Sequence, residues 1–335
     1  GINKYNLKNI NIKIPLNTLT LITGMSGSGK STLVKEIIKP AVENYLQKIK
    51  TNHHHYKKID ITSINLKKIE FINQKPIGRS SRSNPITYIK AYDDIRRLFA
   101  NQALAKQREY KAGHFSFNVD GGRCESCKGE GEITIEMQFM SDVHIQCDSC
   151  KGKRFKEEIL EIKIQEKNIA DILDLSVDQA INFFEENDQI IIAKKIKPLI
   201  DVGLGYVKLG QSSNTLSGGE AQRIKLASFL GKGETADKIL FIFDEPTTGL
   251  HFHDIKKLLS CFYQLIEKGN SIICIEHNLD VIKCADWIID LGPEGGNKGG
   301  KIMFEGYIKN FIQSKKSITA KYLKSKINNQ KNIKL

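Results

Sequence analysis

Eight residues near the start, GMSGSGKS from Gly24 to Ser31, match G-x-x-x-x-G-K-[ST], follow the apolar run LTLITG (19–24) and precede TLVKEIIK. No other stretch limits the possible folds as much. A glycine-rich loop between a buried strand and a helix brings backbone N–H groups close enough to cradle phosphates, with Gly24, Gly27 and Gly29 giving the approach. Lys30 neutralises phosphate charge, Ser31 offers a hydroxyl to Mg²⁺, and Thr32 completes the binding set. The fold this predicts is α/β, with the loop at the carboxyl end of a parallel strand.

Three further apolar runs read as buried strands: IEFINQ (69–74), ILFIFDE (239–245) and SIICIEH (271–277). Each ends on polar residues, and parallel α/β sheets bind ligands outside the carboxyl ends of their strands. Two strands lie early and two late, so the middle of the chain reads as an insertion into one domain. The expected division is an ATP-binding core in two parts, 1–78 and 213–313, an inserted domain over 79–212, and a basic tail over 314–335 that frays at its end. Within the insertion, YIKAYDDIRRLFANQALAKQ has helical spacing. EITIEMQF alternates as a half-buried strand, with Ile133, Ile135, Met137 and Phe139 on one face. The polar segment NHHHYKKID (52–60) reads as a surface loop, and His53 to His55 are weaker metal candidates than the cysteines.

The second part of a phosphate site is ILFIFDE: Asp244 to hold the metal and Glu245 to polarise the attacking water. The third is TLSGGEAQR (215–223). Ser217 and Glu220 form a capping box, and Gly218 and Gly219 leave the helix start bare, so its N–H groups can face an anion. With EPTTGLHFHD (245–254), Gln74 and His277, this ordered set resembles the ATP-binding-cassette ATPases. That resemblance implies Gln74 as the residue coupling the site to the inserted domain, His277 as a contact of the γ-phosphate, and a signature stretch that completes the site of an opposing cassette.

Four of the seven cysteines form C-x2-C pairs, Cys124 with Cys127 and Cys147 with Cys150. Two such pairs at this spacing are the ligand pattern of a closed four-thiolate zinc site, structural rather than catalytic. Cys261, Cys274 and Cys284 stand singly in apolar surroundings. That usage fits a reducing compartment, and with no secretion signal or bilayer-length apolar run the expected location is cytoplasmic. The net charge of +13 favours polyanionic partners. Arg123, Lys128, Lys151, Lys153 and Arg154 crowd the cysteines, with Arg79 and Arg82 in the preceding loop. They are the candidate DNA contacts, to be weighed against an ordinary solvated surface and a knuckle that only holds its domain together.

NQKPIGRSSRSNPITYI, FSFNVDGGRCESC, VGLGYVKLGQSSNTLSGGEAQRIKLA, FDEPTTGLHFHD and IEHNLDVIKCADWIIDLGPEGG together resemble the UvrA family, damage-sensing ATPases of the bacterial excinuclease. The likeness runs along almost the whole sequence and covers the second of the two cassettes that such proteins carry. It implies a zinc-bearing insertion that meets damaged double-stranded DNA, ATP and Mg²⁺ as cofactors beside Zn²⁺, and pairing with a second copy or with the first cassette. It also implies hand-over to UvrB, and no membrane. The departures are RSSRSNP, where the family carries a threonine-proline pair, and the His-rich loop. A UvrA-like drug-resistance ATPase stays open. The ATPase subunit of a membrane transporter shares the nucleotide motifs, but it spends far fewer residues between Gln74 and Leu216 and lacks the cysteine cluster. A non-enzymatic zinc adaptor would need a dead nucleotide site, and no expected catalytic position is missing.

Overall fold

Leu19–Gly24 is buried throughout, with Leu19, Leu21 and Ile22 beside the buried Thr20 and Thr23, and it lies in the middle of a six-stranded sheet. Across the sheet the strands run Lys301–Tyr307, Trp287–Gly292, Leu19–Gly24, Ser271–Ile275, Lys238–Asp244 and Leu66–Ile72, all parallel except the first, which is antiparallel to its neighbour. The computed structural model describes residues 1–49, 55–62, 66–78, 80–135, 137, 143–232 and 237–332. All four strands expected from sequence are present within a few residues of their predicted bounds. Trp287–Gly292 and Lys301–Tyr307 extend the sheet beyond them.

The chain divides into two compact units, one made of Gly1–Gln74 with Gly233–Leu335 and the other of Lys75–Lys232. The signature helix Gly218–Leu230, grouped with the core in the sequence reading, falls in the second unit. There it packs on the helices Ile190–Asp201 and Pro85–Tyr88. In the first unit the helix after the glycine loop is π-type over Thr32–Ile38 and continues as α over Lys39–Leu46. It lays Leu33, Val34, Ile37 and Ile38 on a core shared with Ile22, Ile242, Ile273 and Ile289. Each such side chain removed from water contributes about 1.5–3 kcal/mol. The basic tail is a helix, Ile318–Asn332, because Ala320 and Leu323 recur on one face and are fully buried, and Lys326 pairs with Asp280 at 2.6 Å.

In the second unit the run after Pro85 forms the helices Pro85–Tyr88, Tyr92–Ala100 and Ala103–Gln107. Its core is aromatic: Tyr92 stacks on Phe117 at 5.0 Å, Phe99 meets Phe115 at 5.6 Å, and Phe117 meets Phe155 edge-on at 6.3 Å. The expected strand in EITIEMQF is Glu132–Ile135, paired antiparallel with Val143–Gln146. Ile133, Ile135, Val143 and Ile145 do share a face, but that face is exposed, at 45%, 46%, 43% and 48%. The half-buried expectation is therefore corrected. Alternation sets which residues share a face, whereas covering it takes a second layer that a lone two-stranded ribbon lacks. Met137 is likewise exposed, and Phe139 lies outside the described residues. So do His53, His54 and Arg79, while the carbonyl of His55 accepts from the Asn3 amide at 2.8 Å.

Candidate nucleotide and metal sites

Parallel register brings the strand ends of the first unit to one edge. A cavity of about 550 Å³ opens there, lined by Gly27, Gly29, Lys30, Ser31 and Thr32 from the glycine loop, Glu245 and His277 from the neighbouring strand ends, and Tyr5, Asn6, Gly296 and Asn297. A larger cavity of about 650 Å³ is bordered by Ile12, Ile14, Ile37 and Tyr56 together with Lys13, Lys58 and Asp60, and includes neither the glycine loop nor the strand-end residues Glu245 and His277. The loop conformation needs glycine at Gly24, where φ is +128° and an added Cβ would sit 2.1 Å from the Leu291 carbonyl oxygen. Lys30 is nearly buried, its ammonium donating to the carbonyls of Gly24 at 3.0 Å and Met25 at 2.7 Å. Burial pulls its pKa below the usual lysine value, against the opposing pull of Glu245 and Asp290.

Asp244 ends its strand in an ion pair of 2.5 Å with Lys35, on the helix that follows the loop. Glu245 takes φ +46°, a left-handed conformation that costs a side-chain-bearing residue about 1–2 kcal/mol and must be held by its surroundings. Its amide donates to the Ile275 carbonyl at 3.0 Å, and its own carbonyl accepts from Gln74 Nε2 at 3.3 Å. His277 Nε2 stands 3.5 Å from Glu245 Oε1. Burial, with Lys30 nearby, lowers the imidazole below the ordinary histidine value despite Glu245 and Glu276, so at neutral pH the ring is neutral. Lys30, Ser31, Glu245 and His277 thus meet in one cavity, with Gly24, Gln74 and Asp244 joined to it by hydrogen bond or adjacent strand end.

Sequence reasoning passed over Tyr5 and Asn6. Tyr5 sits at the turn between Ile2–Lys4 and Leu7–Ile10, and its ring is 80% exposed beside the cavity. Asn6 Nδ2 donates to the carbonyls of Gly27 at 3.0 Å and Gly296 at 3.3 Å, tying the glycine loop to the later GPEGG turn. The available signal was the aromatic at a tight polar turn just before a strand.

In the second unit Ser217 caps the helix Gly218–Leu230 as expected. Its Oγ accepts from the Glu220 amide at 3.2 Å, and Glu220 Oε2 accepts from the Ser217 amide at 2.8 Å. Because Ser217 Oγ is the acceptor in that bond, its hydroxyl proton is left to donate. Gly218 and Gly219 open the helix.

The four cysteine sulfurs lie within 4.8 Å of one another and all four residues are buried. Cys124 and Cys147 Sγ are 3.9 Å apart, Cys127 and Cys150 Sγ 3.6 Å. A tetrahedron with metal–sulfur bonds of about 2.3 Å has sulfurs roughly 3.8 Å apart, so the donor set fits zinc. Two matching segments, CESCKGEG and CDSCKGKR, build it, a repeat that sequence reasoning had not singled out. At Gly129, φ +83°, a Cβ would meet the Phe117 carbonyl oxygen at 2.1 Å. The Gly131 amide donates to Cys127 Sγ at 3.2 Å. Burial pushes the Cys150 thiol up to about 12. At Cys147 burial also acts upward, but hydrogen bonds from the Cys150 amide and thiol, the Ser149 amide and the Cys127 thiol together bring that thiol down to about 7.

Of the basic residues around the cluster, Lys128, Lys151 and Lys153 are exposed. Arg82 pairs with Glu130 at 3.4 Å, and Arg123 with Asp120 at 2.7 Å. Arg154 lies over the Phe117 ring at 5.5 Å, mostly buried, and its carbonyl accepts from the Cys124 amide at 2.8 Å. That placement gives Arg154 a packing role in the knuckle.

The ABC transporter family profile matches residues 7–121. UvrABC system protein A of Clostridium acetobutylicum is 55% identical over 324 residues, which are 97% of this chain and 34% of that protein. The Thermus thermophilus protein of the same name is 52% identical over 306 residues, 91% of this chain and 32% of the relative. Among solved structures, UvrA2 from Deinococcus radiodurans aligns with a TM-score of 0.89 at 41% identity over 97% of this chain and 39% of that one. The chain spans about a third of the length of the curated relatives it matches. Its fold is that of an ATP-binding-cassette ATPase core carrying an insertion with a zinc-compatible cysteine cluster.

Proposed function

The chain belongs to the UvrABC system protein A family over the third of those proteins that it spans, and from that premise we infer that it is the second ATPase cassette of a DNA-damage recognition protein in nucleotide excision repair. The observation that carries this reading is the meeting of Lys30, Ser31, Glu245 and His277 in one cavity, in a chain that also carries a four-thiolate cluster. In this reading the glycine-loop amides and Lys30 hold the β- and γ-phosphates of ATP, and Tyr5 offers its face to the base. Ser31 and Asp244 hold Mg²⁺, which supplies charge neutralisation at the terminal phosphates. Glu245 orients the attacking water and accepts its proton, while the His277 imidazole donates toward the γ-phosphate. Gln74 senses the site through the Glu245 carbonyl. Ser217, Gly218 and Gly219 serve the nucleotide of an opposing cassette, either a second copy or the family's first cassette.

Zinc held by Cys124, Cys127, Cys147 and Cys150 fixes the knuckle, from which Lys128, Lys151 and Lys153, with Arg82 and Arg123 behind them, face the phosphates of damaged duplex DNA. Arg79 is proposed for the same surface from sequence alone. Transfer of the DNA to UvrB and a cytoplasmic location complete the reading. Among the described residues no helix is long and apolar enough to cross a membrane.

The test is a gel shift of damaged against intact duplex, with and without ATP. The chain should bind both, prefer the damaged one, and change that preference when ATP is added. Equal affinity for both duplexes under either condition, with zinc present, would remove the damage-recognition reading and leave a cassette of another kind. Elemental analysis should find one zinc per chain. A thiol reagent should leave the four cysteines unmodified until a chelator is added, because metal binding supplies the local folding energy. Chelation should leave nucleotide binding intact, since the ligand cysteines and the glycine loop belong to different compact units. Zinc-free protein whose four thiols react freely from the start would contradict the site.

A further inference from the structure

Glu276 is 2% exposed and has no role in the reading above. Its Oε1 accepts the backbone N–H of Thr247 at 3.0 Å and the Thr247 hydroxyl at 2.6 Å. Its Oε2 accepts the backbone N–H groups of His277 at 2.9 Å and Asn278 at 3.1 Å. Each oxygen thus serves a different segment. Thr247 lies two residues beyond Glu245, at the start of the loop 245–254, and His277–Asn278 continue the neighbouring strand. The carboxylate ties together the two segments whose functional side chains, Glu245 and His277, meet at 3.5 Å.

An ionised carboxylate is acceptor-only, so it can take four donors at once, whereas a neutral amide cannot. Four donors, two on each oxygen, also satisfy a buried charge that would otherwise be costly. The clamp lies next to a residue that needs holding, since Glu245 has a left-handed backbone that persists only where neighbours fix it. The amide bond from Glu245 to the Ile275 carbonyl fixes one side of that residue, and the Glu276–Thr247 pair fixes the loop on the other.

We propose that Glu276 is a positioning residue that holds the loop after Glu245 and the His277 segment at one fixed separation, so that water-orienting carboxylate and phosphate-contacting imidazole act as a unit. The proposal rests on the ATPase reading. It deepens that reading by adding a residue that touches neither nucleotide nor metal.

In Glu276→Gln the side-chain NH₂ must face either the Thr247 amide or the amides of His277 and Asn278, so one half of the clamp opens. Thr247→Val removes only the hydroxyl donor and provides a second, milder variant. Steady-state ATP hydrolysis by the full chain should show kcat reduced by about tenfold to a hundredfold in Glu276→Gln, the scale of an ångström-sized misplacement. KM should stay within about threefold of wild type, because the phosphate-binding loop is untouched. Thr247→Val should lower kcat less, because it leaves three of the four donors on the carboxylate in place. Amide hydrogen exchange in Glu276→Gln should be faster at Thr247 or at His277 and Asn278, whichever half of the clamp opens.

A Glu276→Gln protein with wild-type kcat and unchanged exchange at Thr247, His277 and Asn278 overturns the proposal. So does a loss expressed wholly in KM. If Glu276→Gln does not fold, Thr247→Val carries the test, and its wild-type kcat would be decisive against the clamp. Failure of the parent reading appears differently: the wild-type control itself turns over no ATP, and the positioning role falls with it.

Discussion

Glu245→Gln should bind ATP about as well as the unaltered chain and hydrolyse it about 10²–10⁴ times more slowly, the range typical of a positioned general base. The amide keeps the shape and the hydrogen-bonding reach of the carboxylate. It cannot take a proton from the attacking water, so the loss falls on a step that occurs only in the transition state. The backbone should tolerate the change, because the left-handed conformation at this position is held by the Glu245 amide donating to the Ile275 carbonyl and by Gln74 Nε2 donating to the Glu245 carbonyl, and not by the carboxylate. Lys30→Ala should fail in the opposite manner. Its ammonium braces the loop through the Gly24 and Met25 carbonyls and is proposed to hold the phosphates, so nucleotide affinity itself should drop. Single-turnover hydrolysis beside equilibrium binding of a fluorescent ATP analogue separates the two. In the unaltered chain, turnover per molecule should rise with protein concentration, because Ser217 and its glycines are proposed to serve an opposing cassette. Glu245→Gln turning over at the wild-type rate would move the base elsewhere, and a concentration-independent rate would remove the paired site.

The residues that sequence made legible are those whose role is written in local chain chemistry. The glycine loop is readable because phosphate approach demands glycine at fixed offsets, and Gly24 meets the Leu291 carbonyl so closely that no side chain fits. The capping box at Ser217 and Glu220 is readable because both bonds form within four residues. The cysteine pairs are readable because metal ligation fixes their spacing. What stayed hidden depends on tertiary packing. Tyr5 becomes a cavity wall only when the first hairpin is set against residues some 290 positions later, as the Asn6–Gly296 bond shows. Arg154 and Lys153 are adjacent and look alike in sequence, yet one lies on Phe117 and the other faces solvent. The ribbon at Ile133 shows the same limit, since alternation cannot reveal that its apolar face stays exposed among the described residues. Glu276 looked like part of a strand end, and its use appears only when Thr247 is seen against it.

Replacing Lys128, Lys151 and Lys153 together with glutamine should weaken duplex binding and flatten its salt dependence while leaving zinc and ATP binding unchanged. Damage of varied chemistry presents no constant base edge, so an interface that recognises it draws affinity from phosphates and selectivity from deformability. Each phosphate contact contributes about 0.9 to the slope of log affinity against log salt, so losing three should lower the slope by about 2.7. Glutamine is chosen because Lys128 and Lys151 hold φ of +50° and +48°, where it has much the same backbone preference as lysine and the cysteine loops keep their course. Arg154 is left in place, because removing a cation stacked on Phe117 would disturb the knuckle and confuse loss of contact with loss of structure. Arg96 and Arg97 serve as the internal control. They are already paired with Asp93 and Asp94, and Asp94 also holds Lys195, so their replacement should change the slope little. An unchanged slope in the lysine triple variant, with zinc retained, would move the DNA surface away from the knuckle. A flattened slope on replacing Arg96 and Arg97 would place it on the helix Tyr92–Ala100.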